Sequence, residues 1–336
     1  MRSLALFLAG VLLAVGCAGG GSRPAEPPGW VEGAEPAEFP RARYLTAVGT
    51  ADSRESAQDR ARAELARAFE VHVAARTQQE DRLEFGAGAT RHQATLGQQV
   101  ATRTEVTLRG VEIGETWREP ESGRYHVLAV LDRQRAASAL REAMAGLDAA
   151  TSRDLRQADE AEDPLHALAA LARGLEAQRQ RAEYQQALRV LTGAGMAVRY
   201  EPAVLRARLA SEAAAIPFRT EGRGAHPDRV AQTLRAAVVA AGFQVVEGGG
   251  EDAYRLEAVL ELEDLGQRDG WYWQRGGLTL RLLDRAGEPR GEHRWSVRGA
   301  ATDRTTAERR ALEQVADHLR EGLRGVIIDL ATGRTE

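Results

Sequence analysis

The chain has 336 residues, 43% of them hydrophobic, and a formal net charge of −4. That length suits two or so domains, and the apolar fraction suffices for buried cores, which excludes a globally disordered chain. All 45 basic residues are arginine and the balance is mildly acidic, which gives no support to a nucleic-acid-binding face.

The amino terminus carries one positive charge, Arg2, and then runs apolar from Leu4 to Val15 with only Gly10 interrupting. Such a run has the form of a secretory signal and falls short of the roughly 20 residues that span a bilayer. The one cysteine of the chain, Cys17, follows directly, so disulfides within the chain and cysteine-based zinc sites are excluded. Ala14-Val15-Gly16-Cys17 resembles the lipobox of bacterial lipoproteins, with Ala14 where leucine is usual. That resemblance implies processing between Gly16 and Cys17 and a lipid on the Cys17 thiol, with palmitate-class acyl chains at the new terminus. Several chains, each methylene worth about 0.8 kcal/mol, make a stable anchor. By the same resemblance Ala18, in place of the Asp that marks inner-membrane retention, points to the outer membrane.

Residues 1–16 are thus read as the signal and 17–40 as a Gly- and Pro-rich tether. Within the tether Trp30 and Val31 stand out as residues placed to dock on the domain that follows. A first α/β domain is expected over 41–147. Tyr44 to Val48 reads as a strand, Gly49 as a tight turn out of it, and Asp52 with Glu55 as a capping box. Ala57, Ala61, Leu65, Ala68 and Phe69 lie on one helical face. Val71, Val73 and Ala75 alternate as a strand would. Glu80 to Gln99 is polar and reads as a long arm. Val106, Leu108, Val111, Ile113 and Trp117 mark strand-like segments, Pro120 to Gly123 a turn, Tyr125 to Leu131 a strand, and a helix starts near Arg133.

Cys17, Pro27–Val31 (PPGWV), Tyr44–Ala66 (YLTAVGTADSRESAQDRARAELA) and Tyr125–Arg133 (YHVLAVLDR) together resemble the Lpp-twenty-type lipoprotein family, over residues 17 to about 140. The resemblance implies an outer-membrane or surface lipoprotein with a small α/β domain and no assigned enzymatic chemistry.

A helical connector is expected over 148–215. Leu165, Leu168, Leu171 and Leu175, then Tyr184, Leu188 and Leu191, suggest an antiparallel helical pair, started at Asp163-Pro164. A second α/β domain is expected over 216–330. Its elements read as a strand at Ile216–Thr220, a helix at Asp228–Ala241 and a strand at Phe243–Val246. Leu256, Ala258, Leu260 and Leu262 alternate along another strand. Strands at Leu278–Leu283 and His293–Val297, joined by a turn at Asp284–Gly287, and a helix at Thr306–Leu323 complete it. This order resembles the small α/β domains of the TolB amino-terminal and curli-secretion lipoprotein type. The fold class is therefore α+β: two small α/β domains joined by helices. The segments VGTADSRESAQDRARAELA and RGAATDRTTAERRALEQVA echo each other, with Ala57, Arg60, Ala61 and Ala66 spaced as Ala307, Arg310, Ala311 and Ala316. Duplication and convergence on a generic strand-turn-helix unit both account for it; two such units resemble the layout of the flagellar T-ring protein.

No nucleophile elbow, phosphate loop or His-Glu-x-x-His helix occurs, and the seven histidines are scattered, His72 and His126 on expected strands. The acidic run Glu261–Asp269 lacks the glycine and terminal Glu of a calcium loop and reads as a solvated hairpin. Leu234–Phe243 echoes the peptidoglycan-binding helix of OmpA-like domains without its ligand-contacting Asp and Asn, and reads as a core helix. Trp271 and Trp273 share one strand face with Tyr272 on the other. Such a pair more often covers a sheet, and is otherwise a candidate contact for a partner or sugar. The sequence thus describes a chain without catalytic residues, cofactor or metal. It is a scaffold or interaction component anchored to the outer membrane, facing the periplasm or the cell surface. Its partner would be another envelope protein or peptidoglycan, and not nucleic acid. The rival class is a peptidoglycan- or sugar-binding envelope protein or hydrolase.

Overall fold

The computed structural model describes residues 26–85, 110–247 and 252–332, those of 76–85 by backbone alone. Contacts divide the chain into two units, residues 1–74 with 107–136, and 75–106 with 137–336. The α+β class read from the sequence is the one observed.

In the first unit, β1 (Tyr44–Ala51) leads into α1 (Arg54–Phe85), and β2 (Val111–Arg118) and β3 (Tyr125–Asp132) form a hairpin. The sheet is antiparallel in the order β1-β3-β2. Gly49 is not a turn. It lies inside β1, where a Cβ would fall 2.8 Å from the Ala61 Cα and closer still to the Ala57 carbonyl and Ala61 amide. The helix backbone therefore rests directly on the strand. Ser53, not Asp52, caps α1: its hydroxyl accepts from the Ser56 amide at 3.2 Å. Val71, Val73 and Ala75 are not a strand either, and His72 with them lies in α1. Val73 continues the four-residue spacing of Ala57, Ala61, Leu65 and Phe69 and is buried, whereas Val71 is 60% exposed. The opposite sheet face, with Leu128 and Val130, is covered by Trp30, whose Nε1 donates to Glu115 Oε2 at 2.7 Å. Trp30 thus docks as its sequence context suggests. The arm read at Glu80–Gln99 is helical to Phe85; its remainder, like Val106 and Leu108, lies outside the described residues.

The second unit opens with the helices α2 (Arg133–Glu160, most of its length), α3 (Pro164–Thr192) and α4 (Pro202–Ala214). The expected helical pair at Leu165–Leu191 is one continuous helix, α3. The leucine stripe breaks at Gln178 and Arg181 because those positions are buried polar instead of ending a helix. Next come β4 (Pro217–Gly224), α5 (Pro227–Ala240), β5 (Gln244–Val245), β6 (Tyr254–Arg268), β7 (Trp271–Leu283), β8 (Pro289–Ala301) and α6 (Arg304–Ala331). The five strands are ordered β5-β4-β6-β7-β8, parallel from β5 to β6 and antiparallel beyond. Phe218, Leu256, Ala258, Leu260, Leu278, Leu280 and Leu282 form the inner face of this sheet. They share one core with α5, α6, α4 and the first half of α3.

The echo between the two segments is three-dimensional. A Cβ on Gly299 of β8 would fall 2.8 Å from the Ala311 amide and closer to the Ala307 carbonyl, as at Gly49. Asp303 caps α6 through the Thr306 amide where Ser53 caps α1. Arg60 donates to the Thr50 carbonyl at 2.7 Å, and Arg310 to the Ala300 carbonyl at 2.6 Å. In both strands the residue after the glycine turns its carbonyl to the outer edge, so the glycine turns its own toward the neighbouring strand. The two strand–helix pairs therefore have the same hand. Sheet orders β1-β3-β2 and β8-β7-β6 then match strand for strand, but the helix-bearing strand precedes its hairpin in one unit and follows it in the other. The two arrangements are circular permutations of each other.

Gly299→Ala should destabilise the protein by about 1–3 kcal/mol, because the added methyl overpacks against backbone that cannot move aside. Gly325→Ala, in open space within α6, should stabilise by about 0.5–1 kcal/mol through lost backbone freedom alone. Urea unfolding of the two variants measures both; equal effects would remove the close-packing argument.

Candidate functional site

The strand alternation that buries Leu278, Leu280 and Leu282 puts the odd residues of β7 on the outer face of the sheet. Trp271 and Trp273 lie there and are 43% and 40% exposed. The parity of β7 carried this signal, since its buried leucines 278, 280 and 282 are even-numbered and both tryptophans odd. Tyr272 points to the inner side, opposite Ala301, so the three aromatics do not form one cluster. Trp273 sits between Gly266 of β6 and Ala300 of β8, and Trp271 opposite Arg268. The small neighbours leave part of the Trp273 indole open to solvent. Asp269 and Gly270 at the apex both have positive φ, as a tight two-residue hairpin turn demands. A bulge between Asp264 and Gly266 adds twist beside it. The acidic run Glu261–Asp269 is thus a hairpin, as read.

The rest of the outer face is charged, and much of it is paired. Arg294 reaches Glu261 at 2.9 Å, Arg281 meets Glu292 at 3.1 Å, and Arg223 meets Glu257 at 3.1 Å. Arg268, Arg275 and Arg298 are different. They are exposed and their side chains have no ion pair or hydrogen bond among the described residues. Arg275 lies between Glu263 and Arg298 in the strand register, one step along the face from Trp273.

Helix α6 closes the outer edge of β8 with a stripe of three side chains at four-residue spacing. Arg310 donates to the Ala300 carbonyl, Gln314 accepts from the Arg298 amide at 2.8 Å, and His318 Nε2 lies 3.2 Å from the Ser296 carbonyl. Capping edge groups in this way hinders pairing with a further strand. The Trp–Arg patch is therefore a face feature, not a sheet edge.

Two polar clusters are built into the interior of this unit. Asp163 caps α3 through the Leu165 amide at 2.8 Å, accepts from the Tyr254 hydroxyl at 2.8 Å, and pairs with Arg290. Burial pushes the Asp163 carboxyl up, but the hydrogen bonds from Tyr254, Leu165 and Arg290 outweigh it and hold the group below the ordinary carboxylate range. Burial and the Asp163 charge push the Tyr254 hydroxyl up to about 12. Arg285 and Arg290 flank the Tyr254 ring at 5.1 and 5.6 Å from its centroid. In the second cluster Arg181, 2% exposed, forms an ion pair with Asp148 at 2.8 Å and donates to the Ala197 carbonyl at 2.6 Å. Gln178 donates to Asp148 and Thr151. Sequence reading found Asp163 as a helix start but none of its partners, which lie 91 and 127 residues away. It missed the Arg181 cluster altogether, because a buried arginine gives no periodic signal.

Neither cluster has a free base or nucleophile facing solvent, and among the described residues no group of His, Cys, Asp and Glu is placed to hold a metal ion. His126 lies on β3 beside Thr50 and Trp117. A shallow depression of about 360 Å³ is lined by exposed side chains such as Arg153, Arg156 and His166 at the α2–α3 turn. Leu234–Phe243 packs as a core helix through Leu234, Ala237 and Val238. Gly16 and Cys17 lie outside the described residues. No described helix is long and apolar enough to cross a membrane.

Residues 28–132 match the model of the LPP20 lipoprotein family. Two solved structures are also similar. One is the secreted protein HP1454 from Helicobacter pylori, 15% identical with a TM-score of 0.41, covering 86% of this chain and 97% of that one. The other is a minor lipoprotein from Acinetobacter baumannii, 16% identical with a TM-score of 0.26, covering 35% of this chain and 92% of that one. No curated protein matches the chain.

Tyr254→Phe, which removes one donor from Asp163, should cost about 0.5–1.5 kcal/mol. Asp163→Ala also removes the α3 cap and strands Arg290, so its cost should be larger, on the order of 2–4 kcal/mol. The folded Asp163 ionises below its unfolded value, so its contribution is full above about pH 4 and fades as pH falls through the folded value. Wild type should therefore lose more stability than Asp163→Asn on acidification from about pH 5 to pH 2. Parallel pH curves in urea unfolding would show that the carboxylate is not held as described.

Proposed function

We propose that this chain, with its LPP20-matching region at residues 28–132, is an outer-membrane lipoprotein anchored through Cys17. Its folded units serve as a non-catalytic scaffold or interaction component of the envelope. The observation that carries the reading is the partly exposed indole pair of Trp271 and Trp273 on a face whose more distant charges are largely paired. Such rigid aromatic area has few rotors to freeze and suits a contact site. The chemically conspicuous interior groups support the same reading, because Asp163, Tyr254 and Arg181 are each engaged in holding helices to their surroundings.

Cys17→Ser should leave an uncleaved or mis-sorted precursor, since lipid is transferred to the thiol before processing. Fractionation and intact mass test this. A mature wild-type chain free in the periplasm without added lipid mass would contradict the anchor.

Trp273→Ala should weaken crosslinking to envelope components while barely moving Tm. A loss of about 3–5 kcal/mol, as for a large core truncation, would instead make the indole a packing residue.

A further inference from the structure

The occupant of the Trp271–Trp273 face is constrained by what surrounds the indoles. Along β7 the backbone positions that carry the two rings are about 7 Å apart, two residues of strand rise. The apolar surface they present is a strip two indoles long and one wide. On its flanks stand Arg268, Arg275 and Arg298, exposed and without ionic partners among the described residues, while other arginines of the same face are paired. Glu263 and Asp269 are the nearby acidic residues that offset part of this charge.

Three classes of occupant make different demands. A protein partner needs roughly 800 Å² per side, and a strip of two partly exposed indoles supplies a small part of that. Insertion into a bilayer needs an apolar apex, and the apex here is Arg268-Asp269-Gly270. A carboxylate-bearing polysaccharide makes neither demand. Its sugar rings present C–H faces that stack on indoles, and its carboxylates suit the planar fork of arginine. It is also narrow enough to lie along the strip.

We propose that Trp271 and Trp273 form a stacking platform for an anionic glycan strand, with Arg268, Arg275 and Arg298 taking carboxylates carried on the glycan or on its attached peptides. This rests on the reading of the chain as an envelope interaction component and names the partner class of that same face. Binding is by contact alone, with no bond made or broken.

The test is co-sedimentation of the full-length lipidated protein, in detergent, with purified peptidoglycan sacculi. Parallel arms use sacculi whose carboxylates have been amidated, uncharged chitin, and phosphatidylglycerol vesicles. Expected is pelleting with sacculi that falls at least tenfold in the Trp271→Ala/Trp273→Ala variant, with Tm unchanged. Amidation of the sacculi should weaken wild type by the same factor as Arg275→Gln/Arg298→Gln, and should not weaken that arginine variant further. No pelleting with sacculi, pelleting unaffected by either variant, or preferential binding to vesicles would each overturn the proposal. Because lipid mass and membrane fractionation are read on the same preparation, a lipidated chain that ignores sacculi sinks the glycan alone. Release of soluble muropeptides by the bound protein would sink the non-catalytic reading instead.

Discussion

The contact on which both units depend is a helix backbone laid directly on a strand glycine. At Gly49 and at Gly299 there is no room for a methyl group, and alanines eight and twelve residues later provide the matching shallow surface on α1 and α6. Removing side chains from both sides brings peptide against peptide, so the helix follows the strand closely. The arginine three residues beyond the first alanine can then reach the carbonyl after the glycine. Gly222 repeats the close approach beneath α5, with the Ala231 amide 2.6 Å from the site of a Cβ. Three helices are seated on sheets by one device, and permutation of the chain around it leaves the device intact.

Seating α5 and α6 on the inner face has a consequence for the outer one. With Leu256 and Leu260 of β6 and Leu278, Leu280 and Leu282 of β7 committed inward, the outward positions are left largely to charge, and cross-strand pairs such as Arg281–Glu292 make that face self-complementary. The interior clusters tie the helices to the sheet in the same way. Asp163 starts α3 and, through Tyr254 and Arg290, holds that start to β6 and β8. Against this background the two indoles and three unpaired arginines are the part of the face whose chemistry the fold itself does not use.

Much of this was legible in the sequence. Strict alternation located β6, helical spacing located α1, and Asp163-Pro164 located the start of α3, while Leu278–Leu283, Asp228–Ala241 and Thr306–Leu323 marked parts of β7, α5 and α6. The errors have physical causes. Val71 and Val73 look like strand because both are β-branched, yet the alanine-, arginine- and glutamate-rich context favours helix and Val73 falls on its buried stripe. Helix α3 looked like two because its buried face passes through Gln178 and Arg181, whose partners come from α2 and the segment after α3. Gly49 looked like a turn because nothing local distinguishes a glycine needed for conformation from one needed for space. Strand parity, set by Leu278, Leu280 and Leu282, separates the two readings of the tryptophan pair only in part: it takes both rings out of the core and places them on the outer face of the sheet.

The central claim is that the Trp271 and Trp273 indoles are partly open to solvent on the folded protein, in contrast to buried Trp30. Acrylamide quenching of intrinsic fluorescence, comparing wild type with Trp271→Phe/Trp273→Phe, tests it most directly. The account predicts that the double substitution removes most of the readily quenched emission and leaves a shielded remainder from Trp30, Trp117 and Trp295. Equal quenching of the two proteins would contradict it, because the indoles would then be covered and the face unavailable for contact.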